Sequence, residues 1–260
     1  MLLRFPEPFD FELTTERFRA FGPDLANLWH EGALYRVFGG REVRIALVAG
    51  GVDVEPFEPR VARYLGAPFD LDGFYAFAAR ETVLAPIAQR LAGFRPPLAP
   101  DPFESLVTSI TAQQVSLFSA FAIRNRLIER FGVRHGHAWA FPTEEALARA
   151  EPEELVAVGF SRRKAEYVTG LARAELDFDE LAVLPDAEVK ERLVRIRGLG
   201  EWTADWFLAR HLARPEAWPR GDLGLRKAVA LHYAGSVDPA SFAPFQNLTA
   251  HYLLLSLLKP

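Results

Sequence analysis

The stretch that decides the fold is residues 193–229, LVRIRGLGEWTADWFLARHLARPEAWPRGDLGLRKAV. One helical pattern ends at Gly198 and a second begins by Glu201, with only Gly-Leu-Gly between them. Two glycines permit a sharp turn with left-handed backbone angles and leave N–H groups exposed. This predicts a phosphate-binding site at the start of the second helix. Leu199 is expected to point inward between the two helices. An ordinary αα-hairpin with a glycine turn is the alternative for this triplet alone.

A single carboxylate, Asp222, follows the hairpin and directly precedes another helical pattern. The positive end of that helix favours a carboxylate by ~0.3–1 kcal/mol. A carboxylate fixed in this way can stabilise positive charge that develops on a substrate or position an attacking water. The alternative is that Asp222 is simply a helix N-cap, and the two roles are compatible.

The rest of the chain divides by pattern into a mixed and a helical part. LYRVF, Gly39-Gly40 and REVRIALVAGGVDVEPF predict a β-hairpin followed by a further strand. Residues 70–92 have a helical pattern, and the proline-rich residues 94–100 look like a linker. From Asp101 onward the pattern is helical, and Asp101, Pro102 and Glu104 form a helix start with a capping-box acid. We therefore predict a mainly α protein, with an N-terminal α+β subdomain at 1–95 that carries a small antiparallel sheet, and a helical domain at 100–260.

Composition excludes several kinds of site. The chain has no cysteine, which excludes disulfides, thiol nucleophiles, cysteine-ligated zinc and all-cysteine iron–sulfur clusters. The N-terminus has no apolar signal-peptide core and no apolar run is long enough to span a bilayer, so we expect a soluble cytoplasmic protein with no membrane partner. A net charge of -4 argues mildly against nucleic acid, although residues 190–227 hold nine basic and five acidic side chains.

Four segments together carry a family resemblance: 101–116 (DPFESLVTSITAQQVS), 197–204 (RGLGEWTA), 218–227 (WPRGDLGLRK) and 244–253 (PFQNLTAHYL). In this order they resemble the helix-hairpin-helix base-excision DNA glycosylase superfamily, and within it the bacterial 3-methyladenine DNA glycosylase II family. The resemblance spans roughly residues 100–255 and implies the helix-hairpin-helix glycosylase architecture. It also implies an enzyme of base excision repair that acts on damaged bases in double-stranded DNA, located in the cytoplasm at the nucleoid.

The resemblance assigns roles to individual residues. It makes Asp222 the catalytic carboxylate and places Trp202 and Phe245, the latter at a position where a tryptophan is common, in the walls of the base pocket. Gln113 and Gln114 fall in the wedge loop that fills the gap left by a flipped base, and Gln114 stands where an apolar residue is more usual. For the aromatics the alternative is core packing, and for the glutamines it is a polar turn between helices.

The resemblance also assigns backbone contacts at the hairpin. The residues that would hold a DNA phosphate are Gly198, Leu199, Gly200 and Thr203. The carbonyls that would hold a structural monovalent cation, Na⁺ or K⁺, belong to Val194, Ile196 and Leu199. No other cofactor is expected, and we expect a monomer.

Leaving-group chemistry indicates the substrate and the reaction. Alkylated purines of the 3-methyladenine or 7-methylguanine type are cationic and leave with little acid assistance, which suits a site with one carboxylate. Glycosylases of this superfamily that also cleave the strand have a lysine at the start of the second hairpin helix, where this chain has Trp202, so no lyase activity is expected. Three alternatives stay open: a non-catalytic helix-hairpin-helix DNA-binding protein, a glycosylase for oxidised or deaminated bases, and a helical protein without a nucleic-acid partner.

Overall fold

The N-terminal part of the molecule is a five-stranded antiparallel sheet with the strand order β1-β5-β4-β3-β2. A computed structural model describes residues 1–259. The strands are β1 Leu2–Leu3, β2 Leu28–His30, β3 Ala33–Phe38, β4 Arg41–Val48 and β5 Gly51–Glu55. Gly39 and Gly40 join β3 to β4 with φ values of +56° and +76°. Because side chains rarely adopt two such angles in succession, the Gly-Gly pair explains the tight hairpin that the sequence predicts.

Helices make up most of the remaining chain. In order along the chain they are α1 Phe11–Thr15, α2 Arg60–Tyr64, α3 Leu71–Ala78, α4 Leu84–Arg90, α5 Pro102–Ala112, α6 Leu117–Phe131, α7 Glu144–Arg149, α8 Pro152–Ala157, α9 Arg162–Ala172, α10 Phe178–Val183, α11 Asp186–Val194, α12 Glu201–Arg210, α13 Leu223–His232 and α14 Gln246–Ser256. Two 3₁₀ helices lie at Glu16–Phe18 and Pro239–Phe242, and β6 Val133–His135 pairs with β7 Ala138–Ala140. The predicted class, mainly α with a small antiparallel sheet, is confirmed.

Three hydrophobic cores organise these elements. The first lies under the sheet, and the second is built by helices α5 to α12. The third joins α3 and α4 to α13 and α14, where the hydroxyls of Tyr75 and Tyr252 are 2.8 Å apart. The segment 71–90, which the sequence analysis placed in the N-terminal subdomain, therefore shares its core with the C-terminal helices. The division at residues 95–100 itself stays a prediction.

A buried ion-pair network connects the sheet to helices α5 and α6. Glu104 accepts from Arg36 Nη2 at 2.5 Å and from Arg124 Nη2 at 2.6 Å, and Arg124 also pairs with Asp24. Burial alone would raise the pKa of Glu104, but the two guanidiniums hold it below its usual range. The predicted capping-box role of Glu104 is wrong, because its carboxylate is held by these arginines. The start of α5 is capped by Asp101 alone, which accepts from Glu104 N at 2.7 Å.

Within residues 1–259, no helix combines the length and the apolar character needed to cross a bilayer.

Candidate active site

Asp222 lies at the N-terminus of α13, in the Pro-Arg-Gly-Asp loop that follows the hairpin. Its Oδ1 accepts a hydrogen bond from Leu225 N at 2.9 Å, which makes it the N-cap of the helix. Its backbone N–H donates to Pro219 O at 3.0 Å, so the loop holds the residue from the other side. Asp222 therefore does act as an N-cap, and this role uses only one of its two carboxylate oxygens.

The second oxygen of Asp222 is held by two tryptophans on α12. Trp202 Nε1 and Trp206 Nε1 each donate to Asp222 Oδ2 at 3.0 Å. The two indoles reach one atom because residues four apart lie on the same face of a helix. Three N–H donors on two oxygens suit a carboxylate, which can only accept. The side chain is therefore fixed in orientation while it stays half-buried.

Trp206 also lines a cavity of about 70 Å³, and Asp222 is not among the residues that line it. Trp206 is buried, but its N–H edge faces the carboxylate. Arg210 stacks on the same ring, with its guanidinium carbon 3.5 Å from the ring centroid. Arg17, on the 3₁₀ helix Glu16–Phe18, lines the cavity as well.

The cavity is a low-dielectric environment with positive charge in it. Burial lowers the pKa of Arg17 to about 10, and burial together with the charge of Arg17 lowers the pKa of Arg210. His251, in contact with the Trp206 ring, has its pKa lowered to about 3, first by burial and then by the charge of Arg210. His251 is therefore neutral at physiological pH, and its Nδ1 donates to Asn247 O at 3.0 Å.

The connection between the two hairpin helices is longer than the sequence indicated. Helix α11 ends at Val194, four residues before Gly198, because the chain continues in short turns from Ile196 N to Leu193 O and from Leu199 N to Ile196 O, each at 3.0 Å. Gly198 has a φ of +100°, and a Cβ there would lie 2.2 Å from Tyr167 Cγ. Only glycine fits this position, and Leu199 is buried between the helices as predicted.

Free N–H donors converge at the start of α12. Gly200 is the N-cap and offers no side chain, so the N–H groups of its first turn lack intrahelical partners. Of the predicted phosphate ligands, Leu199 already uses its N–H in the bond to Ile196. Thr203 is buried, and its hydroxyl accepts a hydrogen bond from Gln113 Nε2 at 3.5 Å. The roles of Gly198, Leu199, Gly200 and Thr203 toward DNA stay predictions.

The two wedge-loop glutamines point in different directions. Gln113 is half-buried at the end of α5, and its Nε2 donates to Gly198 O at 2.9 Å, which ties the loop to the hairpin. Gln114 is exposed and has a φ of +55°, in the left-handed region. A non-glycine residue held there stores backbone strain, which is typical of functional loops. The structure thus separates a supporting residue, Gln113, from an outward-facing one, Gln114.

Trp202 contacts the carboxylate of Asp222, whereas Phe245 packs elsewhere. It precedes α14, and its ring packs against Phe77 and Phe74 at centroid distances of 5.6 and 6.0 Å. Its predicted place in the base pocket stays a prediction.

The three hairpin carbonyls expected to hold a monovalent cation keep free lone pairs, and the cation itself stays a prediction. Within residues 1–259, the carbonyls of Val194 and Leu199 accept no hydrogen bond from the protein, and Ile196 O accepts one, which leaves it a second lone pair. Neutral carbonyls of this kind suit Na⁺ or K⁺. Apart from this, no cluster of three or more histidine, aspartate or glutamate side chains in the described residues could hold a metal ion.

Comparison with known proteins assigns the chain to a family. The sequence model of the HhH-GPD superfamily of base excision DNA repair proteins matches residues 107–240. The chain belongs to this superfamily, which confirms the resemblance found in the sequence.

Individual relatives agree with that assignment. A DNA-3-methyladenine glycosylase of Bacillus subtilis is 32% identical over 183 residues, which are 66% of this chain and 60% of that protein. The chain thus spans less than two thirds of this relative's length. The solved structure of a 3-methyladenine DNA-glycosylase from Archaeoglobus fulgidus superposes with a TM-score of 0.86 at 27% identity, covering 98% of this chain and 97% of that one. A Schizosaccharomyces pombe 3-methyladenine DNA glycosylase in complex with abasic DNA covers 68% of this chain and 92% of its own, with a TM-score of 0.60 at 26% identity.

Sequence reasoning missed the two cavity arginines. Arg210 could have been found, because it follows Trp202 and Trp206 at intervals of four along one helix face. Arg17 carries no such signal, since it lies in the N-terminal region where the resemblance is loose, and only the tertiary fold brings it to the cavity.

Proposed function

We propose that the protein is a monofunctional DNA glycosylase that hydrolyses the N-glycosidic bond of alkylated purines in base excision repair, with Asp222 as its catalytic carboxylate. The observation that carries the proposal is the fixation of Asp222 by two indole N–H groups immediately after the hairpin. A protein that only gripped phosphates would not need this carboxylate. The relatives are named as 3-methyladenine glycosylases, which supports the choice of alkylated purines.

In the proposed reaction the bond between sugar C1′ and the base nitrogen breaks, and its electron pair leaves with the base. Asp222 stabilises the oxocarbenium-like charge on the sugar or positions the water that adds to C1′. Because Trp202 and Trp206 restrict its rotation, the carboxylate needs little reorganisation as the charge develops. The target base must first leave the stack, and we assign the space it vacates to the exposed Gln114.

We propose that the protein does not cleave the DNA strand, because no lysine is placed to form a Schiff base with the sugar. Of the four lysines in the chain, none lines the cavity beside Trp206 in the part that the structure describes. Trp202 occupies the position where a lyase would have its Schiff-base lysine, and its indole is engaged with Asp222. The proposed partner is double-stranded DNA, gripped at the hairpin with a monovalent cation and bound by a monomer at the nucleoid.

The experiment is base release from methylated duplex DNA, with the released bases identified by mass spectrometry. Wild type is compared with Asp222→Asn, which keeps the N-cap acceptor but removes the charge. Asp70→Asn is the matched control, because Asp70 caps α3 by the same contact, accepting from Gly73 N at 3.0 Å. We expect release of 3-methyladenine or 7-methylguanine by wild type and by Asp70→Asn, and loss of most turnover in Asp222→Asn.

Two results would contradict the proposal. Unchanged turnover in Asp222→Asn would remove this residue from the mechanism. DNA binding by both proteins without release of any base would leave the hairpin as a binding element only.

A further inference from the structure

An acidic protein that binds DNA needs a local source of positive charge. The chain carries a net charge of -4, and the backbone N–H groups at the hairpin carry no formal charge. Electrostatic attraction to DNA comes mainly from lysine and arginine side chains that replace the counterions on its phosphates. Basic side chains beside the hairpin are therefore the place to look for a further contact with the DNA backbone.

The ring of Tyr167, on α9, lies against the hairpin turn and has two arginines over it. A Cβ built at Gly198 would lie 2.2 Å from Tyr167 Cγ, so the turn and the ring are in close contact. Arg163, in the first turn of α9, and Arg197, immediately before Gly198, each have their guanidinium carbon 5.7 Å from the ring centroid. Both arginines are exposed. Tyr167 thus positions two exposed cations beside the turn.

Both guanidiniums keep donors available for a ligand. Arg163 Nε donates to the hydroxyl of Tyr167, and within residues 1–259 no carboxylate pairs with Arg163, so its two terminal nitrogens stay free. Arg197 pairs with Glu166 at 3.3 Å, but Glu166 also faces Arg162 at 3.6 Å, and the Arg197 side chain is 76% exposed. An exposed ion pair of this kind contributes little, so a phosphate can take the place of the carboxylate.

Resting on the proposed function as a DNA glycosylase, we propose that Arg163 and Arg197 form a second phosphate-binding site for the DNA backbone, beside the one expected at the hairpin. The observation that carries this inference is the placement of both guanidiniums over the one ring that supports the hairpin turn.

The chemistry of the guanidinium group gives the reason. Its paired N–H donors match the oxygens of a phosphodiester, and it stays charged at any physiological pH. Because Tyr167 restricts the rotation of both side chains, less conformational entropy is lost when a phosphate binds. Contacts to phosphates carry no information about the bases. The site therefore fixes the position of the duplex on the protein, and the selection of the damaged base is left to other residues.

The test is the salt dependence of binding to a fluorescein-labelled, undamaged DNA duplex, measured by fluorescence anisotropy between about 50 and about 200 mM KCl. Each arginine that neutralises a phosphate adds about 0.9 to the slope of log K against log [KCl]. We therefore expect the slope to become shallower by about this amount in Arg163→Gln and again in Arg197→Gln. Arg44→Gln, in β4 of the sheet, makes the same change in net charge and should keep the wild-type slope.

A variant with the opposite effect makes the result specific. Glu166→Gln removes the carboxylate that competes with the phosphate for Arg197. We expect it to tighten DNA binding at low salt by about twofold to fivefold, the range that a surface ion pair supports. A purely structural role of the Arg197–Glu166 pair predicts no such gain, so unchanged or weaker binding by Glu166→Gln would count against the site.

Base release from methylated duplex DNA, measured in parallel for wild type, separates this inference from the proposed function. Unchanged slopes in folded Arg163→Gln and Arg197→Gln, with bases still released by wild type, overturn the phosphate-binding site alone. Shallower slopes without base release by wild type support the site and overturn the glycosylase. If wild type binds no DNA at all, both fail. Circular dichroism checks the fold of each variant, and if one arginine variant is unfolded the other decides.

Discussion

The guanidinium carbon of Arg210 lies 3.5 Å from the centroid of the Trp206 ring, one helical turn along α12. The same indole donates to Asp222 Oδ2 at 3.0 Å. The ring is therefore fixed by a cation on its face and a carboxylate at its edge. A cation over an aromatic face contributes ~0.5–2 kcal/mol, so this contact helps to orient the donor that holds Asp222.

Replacing Trp206 with phenylalanine should separate these contributions. Trp206→Phe removes the N–H donor but keeps an aromatic ring under Arg210. Loss of one hydrogen bond to a charged group costs ~1.5–3 kcal/mol, so we expect single-turnover base release to slow by about 10- to 100-fold. Trp29→Phe, in the edge strand β2, is the control and should release bases at the wild-type rate. Equal rates for both variants would show that the Trp206 donor does not assist Asp222.

The two hairpin glycines should respond differently to alanine. Gly198→Ala places a Cβ 2.2 Å from Tyr167 Cγ at a φ of +100°, whereas Gly200 has open space and a φ of −110°. We expect Gly198→Ala to lower the free energy of unfolding by at least ~2 kcal/mol and Gly200→Ala to change it by less than ~1 kcal/mol. Urea denaturation measures both, and similar losses at the two positions would contradict the predicted clash.

Replacing Gln114 with glycine should slow base release without lowering stability. Glycine adopts the left-handed region without strain, so we expect Gln114→Gly to raise the free energy of unfolding or leave it within ~1 kcal/mol. The same change removes the side chain assigned to the vacated base position, so base release should slow. Gln113→Ala is the comparison, because it breaks the 2.9 Å bond to Gly198 O and should cost stability. If Gln114→Gly releases bases at the wild-type rate, the wedge role is excluded.

Acid should destabilise the protein through His251. Its pKa is lowered to about 3 in the folded state, chiefly by burial, whereas an unfolded histidine titrates near ~6.5. Between these values the unfolded state binds the extra proton, so the free energy of unfolding falls as pH falls, by up to ~1.4 kcal/mol per pH unit. Urea denaturation from about pH 7 to about pH 5 should show a shallower dependence for His251→Gln than for wild type. Parallel curves for the two proteins would contradict the assignment.

Features set by local sequence could be predicted, and those set by tertiary contacts could not. The Gly-Leu-Gly turn and the aspartate before α13 depend on neighbours in the chain, so their positions could be read directly from the sequence. The hydrogen bond from Trp206 to Asp222 depends on a loop that no periodicity describes. Glu104 looked like a capping acid because the local spacing allowed it, and two distant arginines hold it instead.

The core shared by α3, α4 and α14 sets an order on folding. Tyr252 Oη donates to Phe94 O at 2.9 Å and meets the Tyr75 hydroxyl, so contacts between very distant residues complete this core. On the ribosome, α3 and α4 must wait without their partner until α14 has been synthesised. Contacts of such large sequence separation slow folding, because the loop-closure entropy is lost before the contacts form. The apolar faces of these two helices, which carry Leu71, Phe74, Leu84 and Ile87, therefore stay exposed on the nascent chain until α14 joins them.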